Sequence, residues 1–477
     1  MLTPQPAQKW SFVTAAHLLN RAGFGGTPDE IEATRAAGLE TAVHNLLHPP
    51  NEPEDDGTHP WTIPGDLPAR MREVRELMTQ PDEKKEKLHE LQRAQRDEML
   101  DLRTWWLGRM KETRAPLLEK MTLFWHGHFA TSAQKVTNVY WMWRQNDTFR
   151  QNALGNFRTL LHEISRDPAM MVYLDLTQSR KAHPNENWAR EVMELFTLGI
   201  GHYSETDIRE SARAFTGYEI NLTNQQFRFN PAQHDASRKS FMGRTDDFSG
   251  DDILDIIVQQ PACPEWLGRK LWRFFVEDEP SPQMVSVVAG LLRENHFELR
   301  PVLREILSSA EFYSDRVVRS QIKSPVQFLV QSCKLLETEL PPRGITQNAL
   351  QQMGQVLLAP PNVKGWDGGK SWISTSTLLF RYNFANYLLN GTANQPNVPP
   401  ILQRAPLDLT KIVPAELRDR PEDLVAHLAR RLFQAPLDGK QTETFLAYLK
   451  TRAPDRGDET MRRLLHLMMS TPQYELT

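Results

Sequence analysis

The spacing of apolar and polar residues predicts helix over most of the chain. "TAAHLLNRAGFG" and "TPDEIEATRAAGLETAVHNLLH" predict two helices joined at a glycine-rich turn, with Thr27 as N-cap and Pro28 at the first helical position. Residues 49–66 form a loop rich in proline and acid, and the densely charged stretch 68–113 predicts two long helices separated at Pro81. Helical spacing continues through 115–215. At 217–245 the period shifts to two, with Tyr218, Ile220 and Leu222 on one side of "TNQQ" and Phe227 and Phe229 on the other. That pattern predicts a β-hairpin. Helices resume from Asp251 to about Glu339, and one more follows "PPNVKGWDGGKSW". "NGTANQPNVPP" then marks a linker.

The fold class expected is therefore mainly α: a large multi-helix body with a small β-hairpin insertion near 217–245 and a helical C-terminal tail. Residues 1–66 hold N-terminal helices and an acidic loop, 67–114 a charged helical arm, 115–390 the main body, and 407–477 a small helical region. Few contacts are expected to cross the polar linker, so the tail is expected to be dispensable for folding of the body.

Composition narrows the partners. The 477 residues carry 56 Lys and Arg against 60 Asp and Glu, a net charge of −4, which gives no basic footprint for nucleic acid. Two cysteines match neither a disulfide framework nor a thiolate metal site. No apolar run reaches the roughly 20 residues needed to cross a bilayer. No signal peptide is visible, so the sequence as it stands reads as cytoplasmic, or as exported if a signal was removed.

Candidate chemistry concentrates in "HPNENWAREVMELFTLGIGHY", residues 183–203. At helical spacing Glu186, Asn187, Arg190, Glu191 and Glu194 share an arc of roughly 140°, while Trp188, Val192, Met193 and Phe196 fill the rest. The i,i+4 pairs Glu186–Arg190 and Arg190–Glu194 are expected to bracket one guanidinium between two carboxylates. Asn185 and Asn187 crowd the helix N-terminus, where unpaired N–H groups favour anions. In "EKMTLFWHGHFATS", His126 and His128 stand two apart, a spacing that shares a face only off a regular helix. His234, Asp235 and Lys239 follow the hairpin. Gly365 to Gly369-Lys370-Ser371 falls one residue short of a phosphate loop, and no strand precedes it. That stretch reads instead as a rigid turn delivering Lys364, Trp366 and Trp372 to a cleft. The bland alternatives are a solvated helix face, satisfied structural histidines, and tryptophans filling a helical core.

"HLLNRAGFGGTPDEI", "ALGNFRTLLHEISRDPAMMVYLD", "PNENWAREVMELFTLGIGHYSETDIRESARAFTGY", "HDASRKSFMG", "RKLWRFFV" and "PPNVKGWDGGKSWI" together resemble the large bacterial family called Domain of Unknown Function 1800. The resemblance covers about residues 12 to 390. It implies export for many members, and genes lying beside a sulfatase-like family, hence a partner of that kind and envelope or polymer chemistry by association. Ser237 stands where a glycine often follows the His-Asp pair.

The leading expectation is a hydrolase acting on a glycan or other envelope-type polymer, possessing a divalent metal if His126, His128 and His234 converge. Its catalytic candidates are Glu186, Arg190, Glu191, Glu194 and Asp235, with one carboxylate as acid and another as base. Asn185, Asn187, Lys239, Lys364, Trp366 and Trp372 are the substrate-binding candidates. The alternatives are a non-catalytic scaffold pinned by a Glu-Arg-Glu network, and an iron-dependent oxidoreductase using the same cluster.

Overall fold

Helix starts are written into the chain by short polar caps followed by proline. The computed structural model describes residues 1–50, 59–65, 69, 72–73, 81–392, 403–452 and 455–477. Thr27 accepts from the Glu30 N–H while the Glu30 carboxylate accepts from the Thr27 N–H, closing a capping box ahead of Pro28. Ser11, Ser204, Ser249, Ser374 and Asp438 build the same reciprocal cap. Among the described residues these starts lead into 20 helices and four short strands.

Two boundaries differ from the periodicity, and a third falls at the edge of the described residues. The helix expected from Thr27 to His48 is two, Pro28–Ala37 and Leu39–Leu47, because Gly38 takes a φ of 81° and ends the first. Pro81–Glu112 runs unbroken, whereas the helix expected before Pro81 falls almost wholly outside the described residues. The 217–245 insertion is two hairpins: Tyr218–Asn221 pairs with Gln226–Phe229, and Lys239–Phe241 pairs with Arg244–Asp246. Met242 and Gly243, at φ 49° and 79°, make the second turn.

Two apolar clusters form the core. One gathers Leu18, Trp125, Phe157, Trp188, Leu271 and Leu303. The other gathers Trp106, Phe328, Leu388, Leu428, Met468 and Tyr474. The helix Pro116–His128 serves both, giving Met121, Phe124 and Trp125 to the first and Leu123 to the second. Its Glu119, fully buried, accepts from Trp106 Nε1 at 2.9 Å, Arg109 Nε at 2.6 Å and Arg150 Nε at 2.6 Å. Burial alone would raise that carboxyl; Arg150 and Arg109 outweigh it and hold it below its ordinary range. This is the buried charge network that pins helices together, and it lies outside the 183–203 stretch.

Residues 407–477 do not stand apart. Leu424, Leu428, Phe445, Leu465 and Met468 belong to the second cluster with Phe328 and Leu388. Gln434 bridges the N-terminal segment, accepting from Asn20 Nδ2 at 2.7 Å and donating to the Gly26 carbonyl at 2.9 Å. Buried Arg381 pairs with Glu475 at 2.8 Å. The linker itself lies almost wholly outside the described residues, and the segments on either side of it share one core.

Candidate anion-binding cavity

Where the two clusters meet, a cavity of about 260 Å³ opens beside the Pro116–His128 helix. Five cationic side chains line it, from segments far apart in sequence: Arg21, Lys120, Lys270, Arg273 and Lys364. Asp278 and Asp367 supply the side-chain carboxylates, and Trp366 and Trp372 the indoles.

Four of the five cations are placed by neutral acceptors. Arg21 donates to the carbonyls of Phe275 (3.2 Å) and Val276 (3.1 Å), at the end of the Ala262–Phe275 helix, and to that of Val317 (2.9 Å). Lys120 Nζ donates to the Gly23 carbonyl at 3.0 Å and Gln327 Oε1 at 2.7 Å, with the rings of Phe24 and Phe274 beside it. Lys270 Nζ donates to the Leu195 carbonyl at 2.9 Å and lies 5.0 Å from the Trp266 ring. Arg273 donates to the Asp367 carbonyl at 2.8 Å. None of the five has an ion-pair partner among the described residues. Carbonyls solvate these charges without neutralising them, so the cavity keeps a cationic excess in a partly desolvated place. Burial, then Arg21, pushes Lys120 down to about 7. Burial, then Arg273, does the same to Lys270. Arg21 is pushed down to about 9 by burial against the opposing charge of Asp278.

The tryptophan loop is docked by glycine. Gly365 has a φ of 82°, and a Cβ there would overlap the carbonyl oxygen of Gly127. The loop backbone therefore lies directly on the end of the Pro116–His128 helix and brings Lys364, Trp366 and Trp372 to the cavity.

The three histidines take separate duties. His126 Nε2 accepts from the Leu358 N–H at 3.0 Å, and burial followed by Arg103 pushes it down to about 3. His234 Nδ1 sits 2.9 Å from the Thr216 carbonyl. His128 Nε2 sits 2.9 Å from the Phe196 carbonyl, and its buried Nδ1 has no partner. Of the three, only His128 lines the cavity. Each ring answers a different backbone group, and among the described residues no group of three His, Cys, Asp or Glu side chains could hold a metal ion. The donor set expected from His126, His128 and His234 does not assemble.

The 183–203 stretch starts as expected, with Asn185 as N-cap accepting from the Asn187 N–H at 2.9 Å. Glu186–Glu191 is α-helical, and Val192–Thr197 then widens into a π-helix. The expected bracket forms on one side only. Arg190 lies 3.7 Å from Glu186 and grips Glu205 with two bonds of 3.0 and 2.9 Å. Glu194 instead accepts from Tyr203 Oη at 2.6 Å, since the π turn breaks the i,i+4 spacing. Half-buried Glu191 is raised above its ordinary range by burial, then by Glu194, with Arg190 opposing. The far end of the stretch reaches the cavity: the Leu195 carbonyl accepts from Trp266 Nε1 (2.8 Å) as well as Lys270, and Phe196 from His128.

Asp235 and Lys239 serve the hairpins. Asp235 accepts from Arg213 Nε at 2.7 Å and from the Ser237 N–H and hydroxyl. Burial opposes these bonds, but they hold the carboxyl well below its ordinary range. Buried Lys239 donates to the Ser237 carbonyl at 3.1 Å. Ser237, standing in the glycine position of the resemblance, closes this turn through its hydroxyl.

Sequence reasoning missed Arg21, Lys120, Lys270, Arg273 and Asp278. A signal was present: "LLEKMTLFW", "HLLNRAGF" and "WLGRKLWRFF" each set a cation inside an apolar run.

Fold and cavity define a mainly helical protein built around a cationic, indole-lined cavity, and no helix of the described residues is long and apolar enough to cross a membrane. The chain belongs to the family described as Protein of unknown function (DUF1800), whose family model matches residues 17–476. No curated protein and no solved structure matches it.

Proposed function

We propose that this protein binds an anionic ligand in the cavity between the two cores. The observation that carries the reading is the set of five cations without an ion-pair partner among the described residues, two of them buried or half-buried lysines held by neutral acceptors. An uncompensated charge in a partly desolvated site is costly, so a fold that keeps Lys120 and Lys270 away from bulk water, with Arg21, Arg273 and Lys364 beside them, gains where an anion completes the site. The indoles of Trp366 and Trp372 supply apolar surface for the rest of the ligand. Thermal unfolding in rising sulfate or acetate, with chloride matching ionic strength, tests this: a ligand of the folded state raises the melting temperature saturably. The rise is expected in the native protein and lost in Lys270→Met; a rise that survives the substitution unchanged would reject the cavity as the site.

A second reading, hydrolysis of an envelope-type polymer, is favoured by one observation. Glu191 is a half-buried carboxyl raised by burial and then by its neighbour Glu194, which suits an acid and base pair of separated affinities.

A further inference from the structure

Resting on the anion reading, we propose that the cavity takes an acidic sugar unit, a single hydroxylated ring bearing one carboxylate, sulfate or phosphate. The argument is an inventory of what the walls leave unmatched. Lysine has three N–H donors. Lys270 uses one on the Leu195 carbonyl, and Lys120 uses two, on Gly23 and Gln327. The remaining donors ask for an anionic oxygen.

Residues that line the cavity also carry unmatched acceptors. The Phe196 carbonyl can only accept, so His128 carries its proton on Nε2 and presents Nδ1 as a lone pair. That nitrogen is buried and has no partner among the described residues, an omission that costs stability while it stays unmade. Asp278 likewise accepts no hydrogen bond from the described residues and is placed against Gly369, where a side chain would exclude it. A bare carboxylate or sulfate ion cannot donate to either acceptor. A ligand that satisfies both halves of the inventory must accept at one end and donate hydroxyls at the other.

Size and surface select the frame for those groups. A volume of about 260 Å³ exceeds the roughly 150 Å³ of an apolar cavity that holds one benzene ring. It has room for one ring and not for a folded chain. Trp366 and Trp372 line the cavity and give such a ring apolar surface to pack on. Arg273, Lys364 and Asp367 are exposed, so the site opens toward solvent on that side, as the terminal unit of a polymer requires.

Calorimetric titration of the full chain with glucuronate, glucose, acetate and tetrahydropyran-2-carboxylate tests the inference. Glucuronate is expected to bind at least tenfold tighter than each of the others, since only it carries ring, anion and hydroxyls together. His128→Phe is expected to bring glucuronate to within a few-fold of the unhydroxylated ring acid while leaving acetate unchanged. If the unhydroxylated acid or acetate binds as tightly as glucuronate, the sugar assignment is overturned and the anion reading stands. If none of the anions binds, the anion reading itself has failed. The ring-acid comparison needs no variant, so a His128→Phe protein that does not fold leaves the test intact.

Discussion

Lys270 shows how one residue trades stability for binding. Its Nζ is bonded to the Leu195 carbonyl, which also receives Trp266 Nε1 at 2.8 Å. Removing the amine therefore leaves no orphaned acceptor and deletes an uncompensated charge. Lys270→Met is expected to stabilise the ligand-free protein by about 1 kcal/mol while abolishing anion affinity, checked by denaturant unfolding beside calorimetry. Affinity should also depend on pH with a definite sign. Lys120 and Lys270, both pushed down to about 7, are charged below that pH and neutral above it. Arg21, Arg273, Lys364, Asp278 and Asp367 line the same cavity, and His128 is held well below its ordinary value by burial. Binding is expected to weaken as pH rises through 7 and to take up protons there but not at pH 5. Titrations in buffers of different ionisation enthalpy read that uptake directly. Little of this was legible beforehand, because a lysine in an apolar run reads equally well as a stem packed on the core with its head in water. Histidines and acids drew the candidate site, and His126 and His234 proved to be satisfied by backbone.

The tryptophan loop and the 183–203 helix make two different elements of the site. For the loop, Gly365→Ala forces a side chain into a φ of 82° and against the Gly127 carbonyl. A cost of about 1–3 kcal/mol for the backbone alone is expected, with loss of anion binding as Trp366 and Trp372 leave the cavity. Unchanged affinity in that variant would show that the loop does not form the site. For the helix, Glu191 makes no hydrogen bond to the described residues, so Glu191→Gln is expected to leave unfolding within about 0.5 kcal/mol of the native value. If the protein hydrolyses a polymer, the same variant should lose at least about a hundredfold in rate. The polar arc, the N-cap at Asn185 and the Glu186–Arg190 pair were readable from a period of 3.6 residues. The π-helix over Val192–Thr197 was not, because nothing in "VMELFT" announces a wider turn, and it redirects Glu194 from Arg190 to Tyr203.

Across the whole molecule, the cavity exists because two apolar clusters meet along one helix, and the C-terminal segment is part of the second. A chain ended at residue 406 would expose the surfaces that Leu428, Phe445, Leu465, Met468 and Tyr474 cover, and would strand Arg381 without Glu475. Such a truncation is expected to aggregate or to lose its cooperative transition, measured by calorimetry on soluble protein. The polar, proline-rich linker suggested the opposite, since composition describes a strap without revealing what its two ends pack against. The mainly helical class and the hairpin at 218–229 were legible in the pattern, while long-range packing was not. The central claim is that the cavity is an anion site. Its most direct test is a crystal soaked in selenate, whose selenium scatters anomalously. The account predicts an anomalous peak inside the cavity within hydrogen-bond reach of Lys270 Nζ, absent from crystals of Lys270→Met. Selenate found only on exposed surface arginines and lysines, with the cavity holding none, would contradict it.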